Sequence, residues 1–125
     1  MNGASLRAIR IRCGLTLEQF GHRVGVNGRT LSRWELDDRD VYEDVAAEAN
    51  ALFDQYLAIR EHIADERNVP GITPEVPVLI YRPKDNPPEP YDRLLWNAAA
   101  TDYALDEDVD LEWAGYDRED AEVAS

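Results

Sequence analysis

The spacing of glycine and apolar residues between positions 15 and 34 constrains this chain more than any other feature of its sequence. Gly21 and Gly25 stand four residues apart. A glycine where two helices cross lets their backbones approach closely, and a glycine in a sharp turn tolerates a positive φ. The pattern predicts two short helices joined by a tight turn. Their inward face is expected to hold Leu17, Phe20, Val24, Val26, Leu31 and Trp34.

Capping signals set the ends of these two helices. Thr16 is followed three residues later by Gln19, which is the spacing of a capping box, so the earlier helix is predicted to begin after Thr16. It is expected to run to about Val24, with Gly25 in the turn. Asn27 is expected to cap the later helix, which is predicted to end near residue 34 or 35.

A further helix is predicted before this pair, over Ser5–Cys13. Ser5 is its expected N-cap, and Gly14 is its expected end, because glycine adopts the left-handed conformation that often follows a helix. Apolar residues at positions i, i+3 and i+7 indicate one buried face. Those residues are Leu6, Ile9 and Cys13.

Beyond residue 40 the pattern alternates between helical and strand periods. We predict a long helix over Val41–Arg67, a strand over Val76–Tyr81, a proline-rich loop over Pro83–Pro90, a helix over Asp92–Leu105 and a strand over Val109–Trp113. The inward residues of the long helix are expected to be Val45, Ala49, Leu52, Phe53, Tyr56, Ile59 and Ile63. Those of the later helix are expected to be Leu94, Leu95, Ala98, Ala99 and Tyr103.

The fold class that follows is mainly α, with a small α+β part at the C-terminal end. Residues 1–68 are expected to form a helical domain that includes the long helix. Residues 69–113 are expected to form a strand-helix-strand dimerisation part. Residues 114–125 are acidic and weakly apolar, so they are predicted to be a disordered tail.

Charge is distributed very unevenly along the chain. The whole chain carries a formal net charge of −13. Residues 1–34 hold six arginines and one acid, a net charge of +5, whereas residues 35–125 hold seven basic and 25 acidic residues, a net charge of −18. Because salt screens charges beyond about 8–10 Å, the basic first part is able to attract an anionic partner despite the acidic remainder.

Several classes of function are disfavoured by the same sequence. The lone Cys13 is interpreted as small core filler, since it forms no internal disulfide and four-ligand zinc sites need more ligands. His22 and His62 lie 40 residues apart without a metal-ligand pattern, and Asp106–Asp110 lacks the glycine of a calcium loop. No catalytic residue, cofactor or metal is expected. With no membrane span and no signal peptide, we expect a cytoplasmic protein.

The N-terminal motifs resemble the Cro/cI class of helix-turn-helix, also called the xenobiotic-response-element class. The matching stretches are Leu6-Arg7-x-Ile9-Arg10, Gly14-Leu15-Thr16-Leu17-Glu18-Gln19-Phe20 and Gly25-Val26-x-x-x-Thr30-Leu31-Ser32-Arg33-Trp34-Glu35. The resemblance covers about a third of the chain. It implies a protein that binds double-stranded DNA and inserts the second helix of the motif into the major groove.

Carried over position by position, this resemblance implies a set of DNA contacts. The residues expected to contact bases are Asn27, Gly28, Arg29, Ser32 and Arg33. Those expected to contact the DNA backbone are Thr16, which serves chiefly as the cap, Gln19 and Arg39. Gly28 either permits close approach of the DNA or is merely a poor helix former that is tolerated there. Trp34 is expected to pack in the core rather than stack on a base.

The chain departs from the family after the Trp-Glu pair. The family usually has glycine and a basic residue there, whereas this chain has Leu36-Asp37-Asp38, and only Arg39 restores a positive charge. The departure predicts weaker anchoring to phosphates and modest non-specific affinity.

The order of elements in the second half resembles that of the anti-CRISPR-associated autorepressors, which are phage-borne and bacterial regulators with a C-terminal α/β dimerisation part. The resemblance rests on this order, on chain length and on Trp96 in the C-terminal helix. It implies a homodimer that represses its own promoter through an inverted repeat. Residues nominated for the core or the dimer seam are Leu79, Tyr81, Trp96, Leu111 and Trp113.

Two alternatives remain open at this stage. The chain is an antitoxin if its acidic C-terminal half neutralises a basic protein partner. It is a DNA mimic or an adaptor if the helix-turn-helix has lost its role in binding DNA.

Overall fold

The computed structural model describes residues 1–37 and 39–115. In that part of the chain, five helices and a two-stranded sheet follow one another along the sequence. The elements are α1 (Gly3–Arg12), α2 (Leu17–Val24), α3 (Gly28–Asp37), α4 (Glu43–Arg67), β1 (Val78–Ile80), α5 (Arg93–Glu107) and β2 (Leu111–Trp113). The prediction of a mainly α fold with a small α+β C-terminal part is confirmed.

The chain packs as two compact units, Met1–Ile59 and the part from Arg60 onward. The boundary between these units lies inside α4, and the expected domain division at residue 68 stays a prediction. Helix α4 contains no glycine or proline. The sequence pattern therefore carries no signal for a division inside this helix. The predicted disordered tail lies outside the described residues from position 116 onward.

The first unit is a helical bundle whose core matches the predicted inward face of the motif, except that Leu17, Val26 and Trp34 are only half-buried. Helix α3 packs against both α1 and α2. The N-terminal segment joins this bundle directly, because the Met1 carbonyl accepts a hydrogen bond from Val41 N. The buried apolar residues are Leu6, Cys13, Leu15, Phe20, Val24, Leu31, Val41, Val45, Ala49, Leu52, Tyr56 and Ile59.

The first helix begins earlier than predicted. Asn2, not Ser5, is its N-cap, and the Asn2 side chain accepts a hydrogen bond from Ser5 N. Gly3 is buried in the first turn, where an added Cβ would lie 1.8 Å from the Trp34 carbonyl oxygen. The close approach of α1 to α3 therefore requires glycine at position 3, a tertiary constraint that the local pattern did not reveal. Of the predicted buried face, Leu6 and Cys13 are fully buried and Ile9 is half-buried.

The second unit contains the end of α4, the two strands and α5. Strands β1 and β2 run parallel, with Val78 beside Leu111 and Ile80 beside Trp113. Parallel neighbours need a crossover connection, which α5 provides, so the unit is a strand-helix-strand arrangement. Asp92 caps α5 by accepting a hydrogen bond from Leu95 N.

The buried face of α5 differs from the predicted one. Leu95 and Ala99 are buried as expected, but Leu94, Ala98 and Tyr103 are only half-buried. The remaining buried positions of this helix are Trp96, Ala100 and Ala104. The face is rotated because the Trp96 indole reaches β1, where Nε1 donates a hydrogen bond to the Leu79 carbonyl.

Candidate nucleic-acid interface

Gly21 sets the contact between α2 and the chain that follows it. A Cβ added at this position would lie 2.3 Å from the Val26 carbonyl oxygen, so any larger residue would push the two segments apart. Gly25 adopts the left-handed conformation at φ 74° and caps the end of α2. Both glycines thus occupy the roles that the spacing predicts, and they bring α3 across α2 at a tight turn.

The N-terminus of α2 carries the predicted capping box in full. The Thr16 hydroxyl oxygen accepts from Gln19 N at 3.1 Å, and the Gln19 side-chain oxygen accepts from Thr16 N at 3.0 Å. Because the Gln19 side-chain oxygen is engaged by Thr16 N, the NH₂ group is the part of this exposed side chain that offers a donor to a ligand. A donor at a helix N-terminus is the chemistry that a phosphate requires.

Helix α3 separates a buried face from an exposed one. Leu31 and Glu35 are buried, whereas Arg29 and Arg33, one helical turn apart, are exposed. Ser32 lies beside them and is half-buried. The two arginines therefore project from the same side of a short helix, which is the arrangement that major-groove reading needs.

Asn27 has a role in the helix as well as a place on its exposed end. Its side-chain oxygen accepts a hydrogen bond from Arg29 N at 2.8 Å, so Asn27 caps α3 as predicted. Adenine recognition by asparagine uses both the oxygen and the NH₂ group. With the oxygen engaged, the NH₂ group is what Asn27 offers to DNA while the cap is intact. Gly28 is half-buried, with ordinary space around the position that a Cβ would take.

The buried ion pair between Arg10 and Glu35 is a feature of this region that the sequence analysis missed. Arg10 Nε donates to Glu35 Oε2 at 2.9 Å, and a second bond joins Arg10 Nη2 to Glu35 Oε1 at 3.1 Å. Arg10 Nη1 also donates to the Leu15 carbonyl. The pair ties α1 to α3, and it removes Arg10 from the positive charge available to a ligand. Arg10 and Glu35 both lie in the stretches that resemble the helix-turn-helix class. Their place in those stretches was the sequence signal that could have indicated a structural role for the pair.

Arg39 and Trp34 lie near the end of α3. Arg39 is exposed, and its Nε lies 3.9 Å from Asp37 Oδ2, which partly offsets its charge. Trp34 is half-buried and packs its ring edge-to-face against Tyr42, with centroids 5.2 Å apart. The indole is thus committed to a protein contact.

The residues nominated for a dimer seam lie in the second unit and differ in exposure. Leu79 and Trp113 are exposed, Tyr81 and Leu111 are half-buried, and Trp96 is buried inside the unit. The side chain of Trp96 therefore has little surface to offer to a second subunit. Whether the others form a seam stays a prediction.

Among residues 1–37 and 39–115, no group of three or more His, Cys, Asp or Glu side chains is placed to hold a metal ion. None of the helices in that part of the chain combines the length and apolarity needed to cross a bilayer.

Comparison with known proteins agrees with this geometry. The family model described as helix-turn-helix matches residues 6–47, which include all of α2 and α3. No curated protein matches the chain. Residues 6–47 are therefore a helix-turn-helix domain, and this supports placing the chain among the DNA-binding transcription regulators.

Proposed function

We propose that this protein is a sequence-specific transcription regulator that acts as a dimeric repressor of its own promoter. Residues 27–34 read the major groove of an inverted-repeat operator. The observation that carries the proposal is the pair of exposed arginines, Arg29 and Arg33, on one side of α3 within a helix-turn-helix domain. Repression and autoregulation rest on the resemblance to the autorepressors.

The base contacts follow from the donors that α3 exposes. An arginine bonds guanine bidentately, and each such pair contributes about 1–3 kcal/mol of discrimination against the wrong base. Arg29 and Arg33 supply these contacts, with Ser32 and the NH₂ group of Asn27 beside them. Gly28 is the first residue of α3 and has no side chain, so the backbone at this position is able to approach the DNA bases closely.

Contacts to phosphate orient the domain on the duplex. Thr16 and Gln19 lie at the N-terminus of α2, where unpaired backbone N–H groups favour an anion. Arg39 supplies a further positive charge beyond α3, weakened by Asp37 nearby. Contacts of this kind fix register without reading sequence.

A second copy extends the proposed operator to two half-sites. One such module contacts only a few base pairs, so a two-fold dimer adds a second recognition helix about 34 Å away. We place the dimer contact on the exposed apolar surface around Leu79 (40% exposed), which continues through Val76 (38%) and Ile72 (37%). Tyr81 borders that surface. Leu111 and Trp113 lie on strand β2, next to carboxylates and not on this apolar surface.

The decisive test replaces both recognition arginines. We expect Arg29→Ala/Arg33→Ala to bind the operator at least about 100-fold more weakly in a gel-shift at fixed salt, because two base contacts are lost. The operator is obtained first by selecting bound fragments from genomic DNA. The variant's circular dichroism and thermal unfolding should match those of the parent, since both side chains are exposed.

The matched control removes positive charge elsewhere. Lys84→Ala changes an exposed cation in the second unit, and we expect operator affinity to fall less than about twofold, because Lys84 lies outside the helix-turn-helix domain at residues 6–47. Unchanged binding by the double arginine variant would refute the proposed recognition helix. Equal losses in variant and control would point to diffuse electrostatic attraction instead.

A second candidate function is neutralisation of a basic protein partner, as an antitoxin does. The observation that favours it is the exposed acidic surface of the second unit, where Asp106, Glu107, Asp108 and Asp110 lie close together in sequence and are exposed. Co-expression with a co-transcribed neighbour tests this candidate. A neighbour whose toxicity is unaffected by the chain would exclude it for that pair.

A further inference from the structure

The two edges of the small sheet are treated differently by the rest of the second unit. Strand β1 is covered by α5, because Trp96 Nε1 donates to the Leu79 carbonyl at 3.0 Å. Asn97 completes the cover, since its side-chain oxygen accepts from Tyr81 N at 2.9 Å and its NH₂ group donates to the Tyr81 carbonyl at 2.8 Å. Side chains thus take the place of a third strand on this side.

Within the described residues, strand β2 has no such cover. Val78 N donates to the Asp110 carbonyl, and Ala114 N donates to the Ile80 carbonyl. Backbone groups alternate in direction along a strand, so this register turns the N–H and C=O of Leu111 and Trp113 away from β1. Within residues 1–37 and 39–115, no residue forms a hydrogen bond with those four groups. An edge of this kind is a template for another strand.

A cleft beside this edge carries negative charge. It measures about 450 Å³, and the described residues that line it include the carboxylates of Glu75, Asp110 and Glu112 and no basic side chain. Glu75 and Asp110 are exposed, and Glu112 is half-buried. A strand that lies against β2 therefore meets the exposed carboxylates of Glu75 and Asp110. Its favourable side chains are basic ones.

Trp113 adds a second feature that suits a cation. The ring is 43% exposed and lines the same cleft. The guanidinium carbon of Arg82 lies 5.2 Å from its centroid, within the range at which an indole face attracts a cation, so Arg82 already lies over one face of the ring. The part of the indole that stays exposed lies next to carboxylates, and it is there that an incoming arginine or lysine side chain packs.

We propose that the free edge of β2 is a docking site for an extended basic segment of another protein, which adds to the sheet as a third strand beside β2. Main-chain bonds to Leu111 and Trp113 provide affinity, and the carboxylates select arginine or lysine on the incoming strand. This inference names the chemistry of the partner in the second candidate function, and it does not depend on DNA binding.

A second copy of the chain fits this edge poorly. If β2 pairs antiparallel with β2 of another copy so that Leu111 faces Trp113, the two Glu112 side chains stand directly opposite each other. Like charges in that position destabilise a sheet. A basic strand from a different protein removes the repulsion and uses the acidic cleft.

The test uses the full-length chain and a fluorescein-labelled synthetic peptide, Arg-Val-Arg-Val-Arg-Val-Arg, followed by fluorescence anisotropy in about 0.15 M salt. The control peptide has the same sequence with N-methylated backbone amides, so it keeps the charge but loses its donors. We expect the control to bind at least about tenfold more weakly, the loss that roughly 1.4 kcal/mol produces. Equal binding of the two peptides would show diffuse electrostatic attraction and overturn the proposal.

Variants of the chain locate the site. Leu111→Pro removes the outward N–H without removing a bond to β1, and Glu75→Gln/Asp110→Asn neutralises the cleft. We expect each to weaken peptide binding about tenfold, whereas Leu111→Val should have little effect. The charge-matched control, Glu61→Gln/Glu107→Gln, neutralises two exposed carboxylates outside the cleft and should change binding less than twofold. A similar loss in this control would overturn the proposal.

Amide hydrogen exchange of the parent chain keeps the proposal testable if a variant fails to fold. We expect the Leu111 and Trp113 amides to exchange rapidly in the free protein and to become protected when the peptide is added. Protection of both amides in the free protein, lost on dilution or in a monomeric species, would mean that a second copy occupies the edge. That result would overturn the proposal while leaving operator binding by the same sample unaffected.

Discussion

Single residues decide how closely the helices of the first unit approach each other. Gly3, Gly21 and Gly25 each occupy a place that another residue would disturb, through contact in the first two cases and through backbone conformation in the third. Gly28 is different, since an added Cβ would meet its nearest atoms at 3.8 Å, an ordinary contact. This contrast allows a matched comparison.

We expect Gly21→Ala to lower the free energy of unfolding by about 1–3 kcal/mol, the usual cost of overpacking. Gly28→Ala should leave it unchanged or raise it by up to ~1 kcal/mol, because alanine favours a helix more than glycine does. Urea denaturation measures both. Equal stability of the two variants would contradict the close contact at Gly21. Operator binding by Gly28→Ala also decides whether Gly28 permits close approach of DNA.

Cys13 is expected to be unreactive in the folded protein. Burial raises the pKa of its thiol from 9.0 to about 11, with Arg23 acting in the opposite direction. Because the thiolate is the nucleophile, alkylation by iodoacetamide at pH 8 should be slower by about 100-fold than for an exposed cysteine, from ionisation alone. Mass spectrometry with and without urea measures this. Rapid labelling of the native chain at pH 8 would contradict it.

The same pKa shift links the thiol to stability. The folded state holds Cys13 neutral, and its pKa is raised above the ordinary value of 9.0. The contribution of the neutral thiol to the free energy of unfolding is therefore fully present below pH 9.0 and is lost as the pH rises towards 11.

At the scale of elements, the ion pair between Arg10 and Glu35 connects α1 to α3, the proposed recognition helix. The Glu35 side chain is 2% exposed, and that of Arg10 is 13% exposed. Removing one partner of a buried pair leaves the other charge without compensation. The orientation of α3 against α1 therefore depends on both residues.

We expect Glu35→Ala to destabilise the protein by about 3–5 kcal/mol, whereas the double variant Arg10→Met/Glu35→Leu should recover most of that loss. Thermal and chemical denaturation of the single and double variants form the test, with Asp37→Ala as an exposed-acid control at the end of the same helix. If Glu35→Ala costs no more than Asp37→Ala, the pair does not hold α1 to α3.

The small sheet is the other element that a proposal of function rests on. Its β1 edge is completed by side chains of α5, and its β2 edge remains open in the described part of the chain. A strand of three residues has few bonds of its own, so its stability comes from α5 packed against it. Both strands are shorter than their sequence patterns predicted, at Val78–Ile80 and Leu111–Trp113.

At the scale of the whole molecule, the dominant property is the contrast between local and total charge. The exposed cations of the first unit act on DNA over a short range, while the chain as a whole carries a net charge of −13. Weak non-specific affinity is the expected result, since total charge controls long-range attraction. In the proposed dimer, specific binding then depends on two half-sites acting together.

We expect Leu79→Glu to shift the protein from dimer to monomer, because it places a charge on the apolar surface proposed for the dimer contact. Sedimentation at micromolar concentration measures the change. Affinity for a two-half-site operator should fall at least about 100-fold, while affinity for one half-site should stay within about twofold. Leu105→Glu, on an exposed leucine of α5 (75% exposed), is the control. A variant that remains dimeric would exclude this surface as the seam.

The helix-turn-helix was predictable because its determinants are local. Glycines at Gly21 and Gly25, the cap at Thr16 and the apolar positions of α2 and α3 act over three to four residues, which is the range that a sequence pattern samples. The strand-helix-strand order in the second half was also predictable, since the period of apolar residues changes from helical to alternating. Ends of elements were less accurate, as the start of α1 at Gly3 illustrates.

What remained hidden depends on groups brought together by folding. The partnership of Arg10 with Glu35 spans 25 residues, and the contact of Gly3 with Trp34 is of similar length. Trp96 and Asn97 cover one edge of β1, and the outer edge of β2 is left open in the described part of the chain. Both outcomes depend on the register between β1 and β2, which no local sequence pattern specifies. Sequence thus determined which segments become helices, strands and turns, because those preferences are local. Only the tertiary structure decided which side chains are paired, covered or left available, because those outcomes depend on distance in space.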